Sequence, residues 1–173
     1  MVLRLIFSLI IIASSSLIGN IYANGFIERT KLLASMLSTL QMLETEIIYS
    51  ATPLPQLLGK VAKKSKGEIG NILEATAEIL YKKEGYIFSE AWRIAIEQET
   101  TKTAFHKEDI EVLLALGNNL GISDSNDQVK HIRLTKEEIK RNYEMAIVDQ
   151  GKSVKLYRNL GFLLGVTIVI VFF

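Results

Sequence analysis

Residues 160–173 read LGFLLGVTIVIVFF and carry no formal charge. As a helix this stretch spans ~21 Å, short of the ~30 Å hydrocarbon core of a bilayer. Starting it at Leu156 adds a turn and places Tyr157 and Arg158 at headgroup level, where aromatic and snorkelling basic side chains sit. A half-inserted helix is the alternative. Upstream, from Asp124 onward, there is no proline, and Ser123 or Asp124 could cap a helix start. Val129, Ile132, Ile139, Tyr143, Ala146, Ile147, Val154 and Tyr157 keep helical spacing up to the apolar stretch. A continuous helix of that length would measure about 75 Å. The last helix is expected to run long and continuous into the membrane, so that domain and membrane segment form one rigid element, with Gly151 the one point where it could break.

The other end of the chain has the same character. Residues 5–23, LIFSLIIIASSSLIGNIYA, are also uncharged and measure ~28 Å as a helix, close to a bilayer core. Its polar members, Ser8, Ser14, Ser15, Ser16 and Asn20, can bond to carbonyls or to a facing helix. A cleaved signal peptide is the competing reading, since Arg4 precedes the apolar run and Ala23 could end a cleavage site. Ile21 is a poor residue for the third position before such a cut, which favours an uncleaved anchor.

Charge is confined to the middle. Of 20 Lys and Arg, all but Arg4 lie between Asn24 and Arg158, as do all 19 Asp and Glu. Lys152, Lys155 and Arg158 precede the second apolar stretch, which puts the middle region on the cytoplasmic side. Both termini are then expected at the outer face. The middle is electrically balanced, so clustered positive charge for a nucleic-acid surface is missing. There is no cysteine, which excludes disulfides and thiolate metal sites and fits a reducing compartment. The expected organisation is an N-terminal transmembrane helix over 1–23, one cytoplasmic helical domain over 24–155, and a C-terminal transmembrane helix over 156–173.

The middle reads as all-α. Leu33, Met36, Leu37, Leu40, Leu43, Ile47 and Ile48 fall at three-and-four spacing, the pattern of an amphipathic helix. Thr52-Pro53-Leu54-Pro55 holds both prolines of the chain; it breaks the backbone and opens the next helix. Leu57, Leu58, Val61 and Ala62 form a short apolar face before a solvated turn at residues 63–67. A third helix is expected from Glu68 to Lys83, with Ile69, Ile72, Leu73, Ala77 and Leu80 inward. A fourth is capped by Ser89 and carries Ala91, Trp92, Ala95 and Ile96. The fifth opens at Lys107-Glu108-Asp109, whose carboxylates suit a helix N-terminus. It buries Ile110, Leu113, Leu114 and Leu116 and stops at Gly117-Asn118-Asn119-Leu120-Gly121. Leu37, Leu40, Leu80, Trp92, Leu113 and Leu116 are the expected core.

Chemistry-bearing patterns are scarce. His106 and His131 fall on separate elements without ligand spacing. The run AIVDQGKS at 146–153 ends like a phosphate-binding loop, but Ala146 stands where a glycine is required and its flanks read as one helix. Glu44 with Glu46, and Glu137 with Glu138, do not share helix faces and read as solvated surface. No catalytic residues, cofactor-binding residues or metal ligands are assigned, and the chain is not expected to be an enzyme. Small residues in the apolar stretches are more informative. Gly161 and Gly165 form a G-x-x-x-G, and Ser15 with Gly19 a small-x-x-x-small pair, spacings that let helix backbones approach closely in lipid. Glycine is also common in membrane helices for its own sake. The two spans could pack on each other or on a partner, a homo-oligomer included.

Several motifs together resemble the stage III sporulation protein AB family. They are Leu43-Glu44-Thr45-Glu46-Ile47 with Thr52-Pro53-Leu54-Pro55, the lone Trp92, and Leu116-Gly117-Asn118-Asn119-Leu120-Gly121 with Asp124 and Gln128. Lys155-Leu156-Tyr157-Arg158-Asn159-Leu160-Gly161 completes the set. The family is similar to half of the inner-membrane platform protein of type II secretion and type IV pilus machines. The resemblance implies a part in a secretion-like channel between mother cell and forespore, in the mother-cell membrane around the forespore. Its implied partners are a cytoplasmic secretion-type ATPase, other membrane components of the channel and the lipid bilayer. Partner contacts are then expected at Glu46, Thr52, Pro53, Leu54, Gly117, Asn118, Gly121, Asp124 and Gln128. A membrane-tethered helical sensor, regulator or adaptor unrelated to secretion would share the same spans.

Overall fold

The structure, a computed structural model, describes residues 2–50, 52–65, 67–82, 85–121 and 124–172. Among them the regular structure is all-helical, with six helices and no strand: α1 Val2–Tyr49, α2 Leu54–Ala62, α3 Glu68–Tyr81, α4 Phe88–Glu99, α5 Lys107–Gly117 and α6 Ser125–Phe172. Residues Lys66, Lys83 and Ser123, which the sequence reading placed in a turn, at a helix end and at a cap, lie outside the described residues.

The first and last helices are each 48 residues long and unbroken. Gly151 does not interrupt α6, and Asn24-Gly25 does not interrupt α1. Each glycine costs about 1 kcal/mol in a helix interior, too little to end a helix that is continuous on both sides. The chain divides into two compact units, one of Met1–Thr30 with Met145–Phe173, the other Lys31–Glu144.

The first unit is an antiparallel pair of helices that leaves its apolar side chains outward. Leu5, Leu9, Leu17, Ile21, Leu163, Ile170 and Phe172 are all exposed. Both helices are long and apolar enough to cross a membrane.

In the second unit, α2 to α5 are short, and each packs on the next. Local chemistry sets their starts. Pro53 takes φ −56° and ψ 142°, and its carbonyl accepts from the N–H groups of Gln56 and Leu57, both at 3.0 Å. The fourth helix begins at Phe88 rather than behind a Ser89 cap: the Glu90 carboxylate reaches back to the Ile87 N–H at 3.1 Å. Asp109 does the same for the His106 N–H at 3.0 Å. Asp124 accepts from the Asp127 N–H at 3.0 Å and so caps α6.

The core of this unit collects Leu33, Met36, Leu40 and Leu43 from α1, Leu57, Leu58 and Val61 from α2, and Ile69, Ile72 and Leu73 from α3. Trp92 and Ile96 of α4, Leu113 and Leu116 of α5, and Ile132 and Ile139 of α6 complete it. Leu37, Leu80, Ile110 and Leu114 are only half-buried, and Ile48 is exposed. Helical spacing identifies a face, but the width that is covered depends on which neighbour lies across it.

Candidate functional site

Two loops that are far apart in sequence meet in the second unit. Gly121, at φ +81°, sits where a built Cβ would lie 3.1 Å from Cδ2 of Leu54 and 3.3 Å from Cβ of Phe88. That backbone conformation favours glycine, and the close approach leaves little room for a side chain. The Thr52–Leu54 turn and the loop after α5 therefore share one edge of the helical unit. Thr52 is held by Ser50, whose hydroxyl bonds with the Thr52 hydroxyl and accepts from its N–H at 3.3 Å. Pro53, Asn118, Gly121 and Asp124 are exposed there, and Thr52 and Leu54 half-buried.

Beside this edge runs a groove of about 360 Å³ between α4 and α5, lined by Ile87, Ser89, Glu90, Arg93, Leu114 and Asn118. Ile87 is 59% exposed there. The sequence reading did not single out Ile87 or Arg93, which lie outside the apolar repeat of α4. A large apolar residue immediately before a helix was the available signal.

Two other expected contact residues make close contacts within the chain. Gly117 is buried against Trp92: a Cβ there would overlap the indole at Cδ1, with Cγ at 3.0 Å. The indole is fully buried, donates from Nε1 to the Leu113 carbonyl at 2.6 Å, and stacks on Phe88 at 5.8 Å between ring centroids. Gln128 is half-buried in the first turn of α6 and donates its N–H to the Asp124 carbonyl at 3.0 Å.

Glu44 and Glu46 are not the solvated pair expected from their spacing. The Glu44 side chain is 7% exposed and accepts from Arg133 Nε at 2.6 Å and Lys136 Nζ at 2.8 Å; Lys136 also bonds Gln41. Hydrogen bonds from Lys136 and then Arg133 hold the Glu44 carboxyl below its ordinary range, against an opposing push from burial. Glu46, 14% exposed, lies between Lys60 Nζ at 2.7 Å and Lys64 Nζ at 3.3 Å. Its carboxyl too is held low, first by the hydrogen bond from Lys60, with burial opposing and Lys64 helping. Both lie on α1 at positions whose partners come from α6, from α2 and from the turn after α2, which spacing within one helix cannot reveal. Asp109 is buried as well, and its second oxygen accepts from Asn142 Nδ2 at 2.9 Å. Glu137 and Glu138 are exposed as expected.

In the first unit the four small residues come together. A Cβ on Gly19 would lie 2.5 Å from the Tyr157 carbonyl oxygen and 2.9 Å from the Gly161 Cα. One on Gly161 would meet the Ser15 carbonyl oxygen at 2.8 Å, and one on Gly165 the Ile12 Cα at 2.8 Å. The Ser15 hydroxyl donates to the Gly161 carbonyl at 2.5 Å. Backbone therefore lies against backbone along this seam, the geometry that small residues permit in lipid. Further along, Tyr157 stacks between Tyr22 at 5.9 Å and Phe26 at 5.6 Å, and Arg158 Nε donates to Asn20 Oδ1 at 3.1 Å.

A model of the family described as stage III sporulation protein AB matches residues 4–173. The chain belongs to that family. It is 28% identical over 168 residues to stage III sporulation protein AB of Bacillus subtilis (strain 168), covering 97% of this chain and 98% of the relative. A solved structure of a stage III sporulation protein AB superposes with a TM-score of 0.67 at 28% identity, over 72% of this chain and 98% of that one. The all-helical fold is thus shared with a family member.

Proposed function

We propose that the chain is a non-catalytic membrane-platform subunit of a secretion-like channel between mother cell and forespore, and that its helical unit docks the channel's cytoplasmic ATPase. The observation that carries this reading is the full-length family match, which takes in both apolar helices and the polar helical unit in one order. The apolar pair anchors the chain in the mother-cell membrane with Lys31–Glu144 in the cytoplasm. The acidic groups of that unit support a structural role, because Glu44, Glu46 and Asp109 are each engaged by cations or amides from other helices. The edge formed by Pro53, Leu54, Asn118, Gly121 and Asp124, with the groove at Ile87, is the docking surface: loops on a rigid scaffold commonly carry binding.

Glu46 is engaged by Lys60 and Lys64, so the test falls on the more exposed positions. The full-length protein in membranes should bind the purified cognate ATPase in the micromolar range. Asn118→Arg should weaken the complex by obstructing the groove. Asp124→Asn should do so by removing charge while keeping a residue that caps helices well. No association at tens of micromolar with the wild-type protein would sink the platform reading.

A further inference from the structure

We infer that the first unit carries a binding site for the phosphodiester headgroup of an anionic glycerophospholipid, on the side of α6 just before its apolar end. This rests on the membrane reading of the two apolar helices. An open face of α6 there, with about 620 Å³ of space beside it, carries Gln150, Gly151, Val154, Lys155, Arg158 and Asn159 with Ile147 at one end. Two cations and two amides lie along this one helix stripe beside Val154 and Ile147, and no carboxylate is among the described lining residues.

Two observations locate this face at headgroup level, and a third shows that it is accessible. It ends where the uncharged sequence from Leu160 begins. Tyr157, stacked between Tyr22 and Phe26, marks the same height with a cluster of the aromatic rings that favour a membrane interface. Gly151 leaves its part of the face open, with nothing within 4 Å of a built Cβ.

The chemistry selects a phosphodiester. Arg158 donates Nε to Asn20 Oδ1, which orients the guanidinium and leaves its terminal donors to pair with phosphate oxygens in a forked geometry. Lys155 lies three residues away and supplies a second, mobile cation. The amides of Gln150 and Asn159 can bond glycerol hydroxyls, while Val154 and Ile147 lie against the apolar part of the lipid. Basic pockets beside membrane helices on the cytoplasmic side are suited to anionic headgroups, each nearby cation contributing about a fivefold gain in affinity. A zwitterionic headgroup would bring its own ammonium towards these cations and lose that gain.

The test uses the full chain, first floated with vesicles of phosphatidylcholine alone and then purified in detergent. There it is titrated with phosphatidylglycerol or phosphatidylcholine and read by native mass spectrometry. One phosphatidylglycerol should be retained per chain in preference to phosphatidylcholine. Lys155→Gln with Arg158→Gln should cut that retention by about thirtyfold, the product of two such steps. Lys152→Gln, an equal charge loss on the same helix outside this face, should change it less than twofold. Equal retention of the two lipids, an equal loss with Lys152→Gln, or displacement by millimolar inorganic phosphate would each overturn the site. Failure to float with phosphatidylcholine vesicles would overturn the membrane reading itself, whereas flotation without lipid preference removes only the headgroup site.

Discussion

Trp92 and Gly117 are one packing decision made by two residues. The indole fills the space that a side chain at position 117 would occupy, and its N–H satisfies a carbonyl of the helix that carries Gly117. Trp92→Ala should cost about 3–5 kcal/mol by opening a cavity. Trp92→Phe keeps most of the volume and leaves the Leu113 carbonyl without its donor, a loss of about 1–3 kcal/mol. Gly117→Ala should cost about 1–3 kcal/mol through overpacking. Urea melts of the full chain in detergent check all three, and an unshifted midpoint for Trp92→Ala would contradict the buried indole.

Glu44 makes the same unit sensitive to acid. Its folded carboxyl titrates below the ordinary glutamate range because hydrogen bonds from Lys136 and Arg133 favour the charged form. The stabilisation is therefore complete above the unfolded pKa and is lost as pH falls through the lower folded one. Glu44→Gln should lower stability near neutrality and flatten the further loss below about pH 4.5. Urea midpoints measured across that range test it, and an unchanged slope would remove Glu44 from the account.

At the scale of elements, the seam between the ends of α1 and α6 depends on backbones that touch. Because a Cβ on Gly161 would meet backbone atoms at 2.8 and 2.9 Å, no side-chain rotation can relieve the clash. Gly161→Leu should therefore separate the pair there. The native chain has no cysteine, so a Tyr22→Cys, Tyr157→Cys pair reports this contact cleanly. Its crosslinking in membranes should be efficient in the native background and fall severalfold with Gly161→Leu. Equal yields would mean that the seam tolerates bulk.

At the scale of the whole molecule, the prediction is orientation. Lys152, Lys155 and Arg158 flank the apolar end of α6, and basic residues stay on the cytoplasmic side. Single cysteines at the exposed Lys63 and Lys140 should resist a membrane-impermeant thiol reagent in intact cells and react after lysis. Labelling of both in intact cells would reverse the topology.

Much of this was legible along the chain. Charge-free ends, a balanced helical middle, the break at Pro53 and the face of α2 follow from one-dimensional patterns, because hydrophobic spacing and proline chemistry act locally. The spacing of Ser15, Gly19, Gly161 and Gly165 also indicated close helix approach. What tertiary structure decided is partnership. Glu44 and Glu46 read as solvent-facing because their spacing gives them no shared helix face; Arg133 and Lys136 arrive from α6, Lys60 from α2 and Lys64 from the turn after it. Asp109 looked like a helix-start carboxylate and is that, but Asn142 also makes it a buried tie. Gly117 looked like loop punctuation and is the floor beneath an indole. A residue's own period says which way it points, and only the fold says what stands there.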